Sequence, residues 1–102
     1  MLWVALTVAC DLAMQKARVA GIGWAGARGG NHAGPAALYV WPQAAAGMIG
    51  ICAAVGSANH VAPWGGTDLL PGTNPIAISA PLGGTDPFVL DMATTVAAVG
   101  KI

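Results

Sequence analysis

Two strands joined by a polar turn are predicted within Ile76-Ala77-Ile78-Ser79-Ala80-Pro81-Leu82-Gly83-Gly84-Thr85-Asp86-Pro87-Phe88-Val89-Leu90-Asp91. Short apolar runs on either side of a polar, glycine-rich turn are typical of two strands joined by a short connection. Asp91 closes the second run, and a carboxylate at the end of an apolar strand is costly unless hydrogen-bond donors reach it. Asp91 is therefore expected to have hydrogen-bond donors beside it in the folded chain.

Two further strands are predicted upstream. The run Met48-Ile49-Gly50-Ile51-Cys52-Ala53-Ala54-Val55 is apolar on both faces, which indicates a central strand covered on each side. It leads into the polar segment Gly56-Ser57-Ala58-Asn59-His60. The glycine-rich run at residues 22–27 is a shorter strand candidate and leads into residues 28–35. Because each polar segment follows a strand, the two can converge on one cleft.

The upstream polar segment is Arg28-Gly29-Gly30-Asn31-His32-Ala33-Gly34-Pro35. Its glycines and proline allow backbone conformations that other residues avoid and let the chain approach a ligand closely. An imidazole in so apolar a chain needs a partner wherever it is not in water. The local sequence leaves two roles open for His32: a loop-capping histidine, or an acid/base group.

Three segments have helical composition. Residues 4–20 carry one polar stripe and a face of small residues suited to close packing on a sheet, with Gly21 as the expected stop. Residues 36–46 also favour a helix, but Pro42 predicts either a kink or two short pieces, because proline within a helix costs about 3 kcal/mol. The segment that begins at Met92 is expected to start a third helix, with residues 96–99 as its first apolar turns.

The composition of the chain restricts the classes of partner that it can bind. The chain has 102 residues, of which 56% are hydrophobic and only 8% are charged, and four Lys and Arg balance four Asp and Glu. Such a balance argues against nucleic acid or an acidic membrane surface as a partner. The apolar excess indicates buried strands or surface meant for another polypeptide. Residues 62–75 are rich in turn formers yet carry a tryptophan and two leucines, so we expect an ordered loop over a site or partner.

The cysteines and the N-terminal run indicate a cytoplasmic protein. Cys10 and Cys52 have neither CxxC spacing nor a histidine at ligand spacing, so we interpret them as small core residues in a reduced compartment, with a disulfide left open. The first ten residues lack the basic leader of a signal peptide, and Asp11 interrupts their apolar run. No run reaches the length of a membrane span.

Five short motifs, in this order, resemble the malate/L-lactate dehydrogenase family of the non-Rossmann type, which includes ureidoglycolate and sulfolactate dehydrogenases. The motifs are Asn31-His32-Ala33-Gly34, Gly47-Met48-Ile49-Gly50-Ile51, Ala62-Pro63-Trp64-Gly65-Gly66, Gly72-Thr73-Asn74-Pro75 and Phe88-Val89-Leu90-Asp91-Met92-Ala93-Thr94-Thr95. The resemblance implies an α/β fold with a mixed sheet, flanking helices and a nicotinamide site unlike the Rossmann fold. The absence of GxGxxG after a strand agrees with that expectation.

The resemblance also implies roles for single residues. His32 corresponds to the proton donor and acceptor of a reaction that interconverts 2-hydroxy acids and 2-oxo acids. Ser57, with Gly56 as the alternative, and the trio Asp91, Met92 and Ala93 correspond to contacts of NAD or NADP. A positioned imidazolium suits this chemistry, because negative charge grows on the carbonyl oxygen as hydride reaches the carbon. His60 has no counterpart in the family, so we interpret it as a solvated or loop-capping histidine.

Family members are several times longer than this chain and are generally dimeric. Residues 1–102 are therefore expected to form a single partial domain from the middle of the enzyme, inactive or nearly so alone. The histidine and arginine that hold the substrate carboxylate, and further cofactor contacts, would lie in segments outside it. Ala33 stands where the family has a larger residue, and Pro42 falls within a family helix. A non-catalytic remnant or a small interaction protein is the alternative.

Overall fold

The computed structural model describes residues 2–56 and 59–96. These residues form α1 (Leu2–Ala20), α2 (Ala37–Ala45), β1 (Gly50–Ala53), β2 (Ile76–Ala80) and β3 (Phe88–Met92). The strand order is β1-β2-β3, and both pairings are antiparallel. The predicted α/β class, with helices beside a sheet, is confirmed. The strand pairs within the described residues are all antiparallel.

The two strands predicted for residues 76–91 are confirmed. They pair from Ala80 opposite Phe88 to Ile76 opposite Met92, one residue beyond the predicted end at Asp91. Gly84, in the connection, has a φ of +83°, a left-handed conformation that glycine adopts at no steric cost. Met92 therefore ends a strand and does not begin a helix; residues 93–96 are not helical either, and residues 97–99 of that prediction lie outside the described residues.

The prediction of a central, covered strand at residues 48–55 is wrong in its position. β1 comprises only residues 50–53 and lies at the edge of the sheet, with β2 in the centre. Ile51 is 60% exposed because it lies on the face opposite to α2. A strand that is apolar on both faces can be covered on both faces, but this pattern does not show whether other strands pair with both of its edges.

Residues 22–27 do not form the predicted strand, and they pair with no strand among the described residues. A Cβ added to Gly23 would overlap the carbonyl oxygen of Ala13 and would lie 2.9 Å from the nitrogen of Ala17. The glycine thus allows the segment to lie directly on α1, while Ile22 and Trp24 stay 81% and 82% exposed. The face of α1 that carries small residues packs against this segment and against α2. It does not pack on the sheet, because none of the α1 Cα atoms lies within 8 Å of a Cα atom in a strand.

α2 contacts every other element and covers one face of the sheet. Val40 and Ala77 are fully buried between them, and Cys52 and Val89 pack against this small core. The hydroxyl of Ser79 donates to the carbonyl of Val40 at 2.6 Å and ties β2 to the helix. Gly50 fits closely under α2, because a Cβ there would overlap the Oε1 of Gln43 and would lie 2.7 Å from the Ser79 hydroxyl.

Pro42 lies within one continuous helix, although a break into two pieces was one of the two predictions. It removes the hydrogen bond to the Leu38 carbonyl, as any proline would. Buried contacts on both sides of it compensate: Gln43 is buried and its amide donates to the Tyr39 carbonyl at 3.0 Å. Tertiary packing thus sustains a helix of only nine residues that contains a proline.

Candidate functional site

The antiparallel sheet gathers the predicted site segments at one end. β1 and β3 both finish where β2 begins, so the chain that leaves each of them lies beside the residues that enter β2. The Ala54 N–H donates to the Pro75 carbonyl at 3.0 Å on one side. The Thr94 N–H donates to the Thr73 carbonyl at 3.0 Å on the other. The topology therefore places the segment after β1 and the Asp91 to Ala93 segment on either side of residues 73–75.

The His32 loop joins this end of the sheet through α2. Gly29 and Gly34 both have a φ of +72°, which confirms the predicted need for glycine in the loop. His32 is exposed, and its Nδ1 accepts a hydrogen bond from the Gly34 N–H at 3.0 Å. In the neutral ring the proton is then on Nε2, the nitrogen that remains to face a ligand.

Tyr39 on α2 holds the His32 loop, a role that was not predicted from the sequence. Its side chain is 4% exposed, and its hydroxyl donates to the carbonyl of Ala33, the residue after His32. Burial raises the pKa of the Tyr39 hydroxyl, and the nearby Cys52 and Cys10 raise it further, so the group remains a neutral donor. A lone tyrosine on an otherwise apolar helix was the available signal, because a buried hydroxyl needs a partner.

The loop is also fixed from the side by α1. The Trp3 ring lies 3.6 Å from the position that a Cβ on Gly34 would occupy. Gly34 therefore has two roles in the loop: its backbone adopts a left-handed conformation, and its N–H donates a hydrogen bond to the imidazole. Two helices thus limit the movement of His32 although the ring itself is exposed.

Asp91 has its donor within the chain. Its Oδ2 accepts from the Ala37 N–H at 2.8 Å, at the first residue of α2. The local N-cap residue, Ala36, makes no side-chain cap, so a carboxylate from the sheet caps the helix instead. The pleat explains the geometry, because Asp91 stands opposite Ala77 on the face that packs against α2. A carboxylate accepts several hydrogen bonds, so this cap leaves acceptor capacity for a ligand.

The segment after β1 is anchored on both sides of Ser57. The Gly56 N–H donates to the Asn74 Oδ1 at 2.8 Å, and the N–H groups of His60 and Val61 both donate to the Pro71 carbonyl at 3.1 Å. Ser57 itself lies outside the described residues. Residues 71–74 therefore form the support on which this predicted cofactor segment rests.

Met92 and Ala93 connect Asp91 to the anchored Thr94. Met92 is 46% exposed as the last residue of β3, and Ala93 is half-buried. The structure thus brings the Asp91 to Ala93 segment near the His32 loop through the cap on α2, and near the flanks of Ser57 through Thr73. The convergence of the two polar segments on one cleft stays a prediction.

The two cysteines are half-buried thiols. Burial raises the pKa of Cys52, and the charge of Asp91 raises it further. Burial also raises the pKa of Cys10, as do Cys52 and Asp11, while a hydrogen bond with Gln43 partly offsets this. A disulfide requires Cα atoms within about 7 Å. No Cα of α1 lies within 8 Å of a Cα of β1, so both cysteines are free.

A surface groove of about 490 Å³ lies elsewhere, between α1 and residues 24–28. Its lining is largely apolar with Lys16 and Arg28, and His32 and Asp91 do not contribute to it. We place the candidate site at the end of the sheet, because His32, the predicted proton donor and acceptor, does not line the groove. Among the described residues, no three His, Cys, Asp or Glu side chains could hold a metal ion, and no helix is long and apolar enough to cross a membrane.

Comparison with known proteins gives a consistent family. The sequence profile of the malate/L-lactate dehydrogenases matches residues 3–102. The malate dehydrogenase of Pyrococcus abyssi is 49% identical over 94 residues, which are 92% of this chain and 25% of that protein. The ureidoglycolate dehydrogenase (NAD(+)) of Escherichia coli O157:H7 is 37% identical over 97% of this chain and 28% of its own length. The (2R)-3-sulfolactate dehydrogenase (NADP(+)) of Chromohalobacter salexigens is 37% identical over 90% and 27%.

Comparison with solved structures identifies the same family. The malate dehydrogenase of Pyrococcus horikoshii OT3 superposes with a TM-score of 0.86 at 46% identity, over 96% of this chain and 28% of that one. The arrangement of helices and strands described above therefore recurs within a larger protein. This chain spans about a quarter of the length of the curated relatives it matches.

Proposed function

The chain belongs to the malate/L-lactate dehydrogenase family, and we propose that it carries the proton-transfer loop and part of the nicotinamide site of an NAD(P)-dependent oxidoreductase. The substrate class is a 2-hydroxy acid, interconverted with its 2-oxo acid, of the malate, lactate or ureidoglycolate type. The names of the relatives support this class and include both NAD(+) and NADP(+). The cofactor is accordingly NAD or NADP.

The observation that carries the proposal is the hydrogen bond from the Gly34 N–H to the Nδ1 of His32. It orients the exposed ring and assigns Nε2 to the substrate oxygen. When a 2-oxo acid is reduced, negative charge grows on that oxygen, and a positioned Nε2–H donates to it. In the reverse direction Nε2 takes the hydroxyl proton from a neutral ring whose own proton is on Nδ1, so the Gly34 hydrogen bond opens before that transfer.

The proton cycle affects the loop as well as the substrate. An imidazolium carries protons on both nitrogens, so its Nδ1 no longer accepts from Gly34. The Gly34 hydrogen bond therefore forms only with the neutral ring protonated at Nε2, and it is open both in the imidazolium and in the Nδ1–H ring that remains after Nε2 has given up its proton. Tyr39 keeps the Ala33 carbonyl in place through both states, because its donor does not depend on the protonation of the imidazole.

The residues proposed to hold the cofactor are Ser57, with Gly56 as the alternative, and Asp91, Met92 and Ala93. A bound nicotinamide supplies or accepts the hydride at the substrate carbon. The residues fit such a group, since Asp91 is an exposed carboxylate with capacity to accept from hydroxyl or amide donors. Exposed Met92 adds an apolar surface beside it.

The isolated chain is proposed to be inactive, in a family enzyme that is a cytoplasmic homodimer. The open face of the sheet supports the need for further polypeptide: Ile51, Ile78 and Leu90 form one cross-strand row on it, and Ile51 and Leu90 are 60% and 38% exposed. Such an apolar surface is normally covered by protein.

A chimaera tests the role of His32. Residues 3–102 would replace the matching quarter of the Pyrococcus abyssi malate dehydrogenase. We expect the chimaera to oxidise malate, and His32→Gln to lower kcat by about 100-fold or more. His60→Gln is the matched control and should retain the rate. An active chimaera that His32→Gln leaves unchanged would contradict the assignment.

Titration of the 102-residue chain itself with NADH and NADPH, followed by nicotinamide fluorescence, tests the cofactor site. Saturable binding of either one supports the proposal. No binding at millimolar concentration contradicts it and favours the non-catalytic alternative. Turnover of malate or lactate by this chain, lost in His32→Ala, would show that the expected inactivity is wrong.

A further inference from the structure

We propose that Asn74 is a positioning residue that holds the two candidate cofactor segments at a fixed spacing, so that both can bind one nicotinamide dinucleotide. This inference rests on the proposed function for the identity of the ligand. Its structural part concerns the chain alone. Asn74 lies in the segment that enters β2, between the chain leaving β1 and the chain leaving β3.

The backbone of Asn74 is the first observation. Its φ is +36°, and it is the only residue other than glycine with a positive φ in the described part of the chain. A left-handed conformation is unfavourable for most side chains, whereas asparagine and aspartate tolerate it. The structure retains this unusual conformation at the point where the two segments meet.

The side chain of Asn74 holds the segment after β1. Its Oδ1 accepts the hydrogen bond from the Gly56 N–H at 2.8 Å, across a separation of 18 residues. Gly56 is tightly fitted there, since an added Cβ would lie 3.1 Å from the Thr73 nitrogen and 3.5 Å from that of Asn74. Ser57 is therefore attached to a glycine whose position the Asn74 amide sets.

The carbonyl of Asn74 holds the segment after β3. It accepts from the Thr94 hydroxyl at 3.1 Å, and the same hydroxyl lies 3.2 Å from the Thr73 carbonyl. Thr94 directly follows Ala93, the last of the three residues proposed to contact the cofactor. One residue thus binds the N–H before Ser57 with its side chain and the residue after Ala93 with its backbone.

The residue at position 74 must meet two separate structural requirements. The backbone needs a residue that accepts φ > 0, and Gly56 needs a carbonyl or carboxylate oxygen at Oδ1. Glycine meets the first requirement alone, and aspartate meets both. Asn74→Gly and Asn74→Asp are therefore a matched pair that isolates the hydrogen bond from the backbone strain.

Amide hydrogen exchange of the 102-residue chain, measured by NMR without cofactor, tests the structural part. We expect the Gly56 amide to exchange about fivefold faster in Asn74→Gly, the equivalent of one ordinary hydrogen bond. In Asn74→Asp it should exchange at close to the wild-type rate. Unchanged exchange of Gly56 in Asn74→Gly would overturn the inference.

Fluorescence titration with NADH and NADPH then tests the consequence. We expect Asn74→Gly, in a chain that remains folded without urea, to raise the Kd of the cofactor that the wild-type chain binds by about fivefold. Equal Kd values for wild type and Asn74→Gly would overturn the positioning role. If the wild-type chain binds neither cofactor, the proposed function and the cofactor assigned here are contradicted. If Gly56 exchange still depends on Asn74 in that case, the coupling of the two segments remains supported.

Discussion

Substitution of Tyr39 by phenylalanine tests whether the loop that carries His32 is held from the helix beneath it. The phenyl ring retains the packing of a side chain that is 4% exposed, so the change removes the hydroxyl and little else. The lost interaction is the hydrogen bond to the Ala33 carbonyl, one residue from the imidazole.

The expected cost follows from the surroundings of that carbonyl. A typical intramolecular hydrogen bond contributes about 1 kcal/mol, and a buried acceptor left without a partner costs more. Ala33 is only half-buried, so water can replace part of the interaction and the lower figure applies. A loss of about 1 kcal/mol corresponds to a roughly fivefold increase in the population of the open loop.

Two measurements locate this loss. Urea unfolding should give a lower midpoint with an unchanged slope, and the Gly34 amide, which donates to His32, should exchange about fivefold faster in Tyr39→Phe. Thr85→Val is the control, because it removes an exposed hydroxyl whose hydrogen bond is long, at 3.4 Å. Wild-type exchange at Gly34 in a folded Tyr39→Phe chain would show that the tyrosine does not hold the loop.

Three further perturbations test the packing around the site. Asp91→Ala removes the cap on α2 and should lower the free energy of unfolding by about 1 kcal/mol, measured in urea, whereas Asp91→Asn should recover most of it. Gly23→Ala forces a Cβ against an α1 carbonyl and should cost about 1–3 kcal/mol, while Gly26→Ala, with nothing within 4 Å, should leave the urea midpoint unchanged. Because burial raises the pKa values of Cys10 and Cys52 above their ordinary 9.0, the folded chain keeps both thiols protonated where the unfolded chain ionises them. Stability is therefore fully present below about pH 9 and falls above it, and replacement of both cysteines by alanine should flatten the alkaline fall in the urea midpoint.

Several features of the fold could be predicted from the sequence because they depend on neighbouring residues. The first helix and its stop at Gly21 follow from periodicity and a C-terminal glycine, and the Gly21 N–H indeed donates to the Ala17 carbonyl at 2.8 Å. The strands β2 and β3 follow from apolar runs around a glycine turn. The need for glycine on both sides of His32 follows from local backbone sterics. The family followed from the order of its motifs.

Other features could not be predicted, because they depend on contacts between distant residues. The glycine-rich run of residues 22–27 was predicted to be a strand, yet its Gly23 serves close packing on α1. The apolar run of residues 48–55 gave no sign that β1 would be an edge strand. The helix containing Pro42 is continuous, and its backbone accepts a hydrogen bond at Val40 from Ser79, 39 residues away in the sequence.

The sequence by itself therefore determined α1, α2, β2 and β3, the glycine-supported histidine loop and the family. The tertiary structure alone decided how these parts form a site. Asp91 caps a helix 54 residues away, Tyr39 reaches the His32 loop, and Asn74 joins the chain leaving β1 to the chain leaving β3. The physical reason is that helix periodicity and turn conformation are local properties of the chain, whereas the partner of a buried hydroxyl, a capping carboxylate or a backbone N–H is known only when the strands have paired.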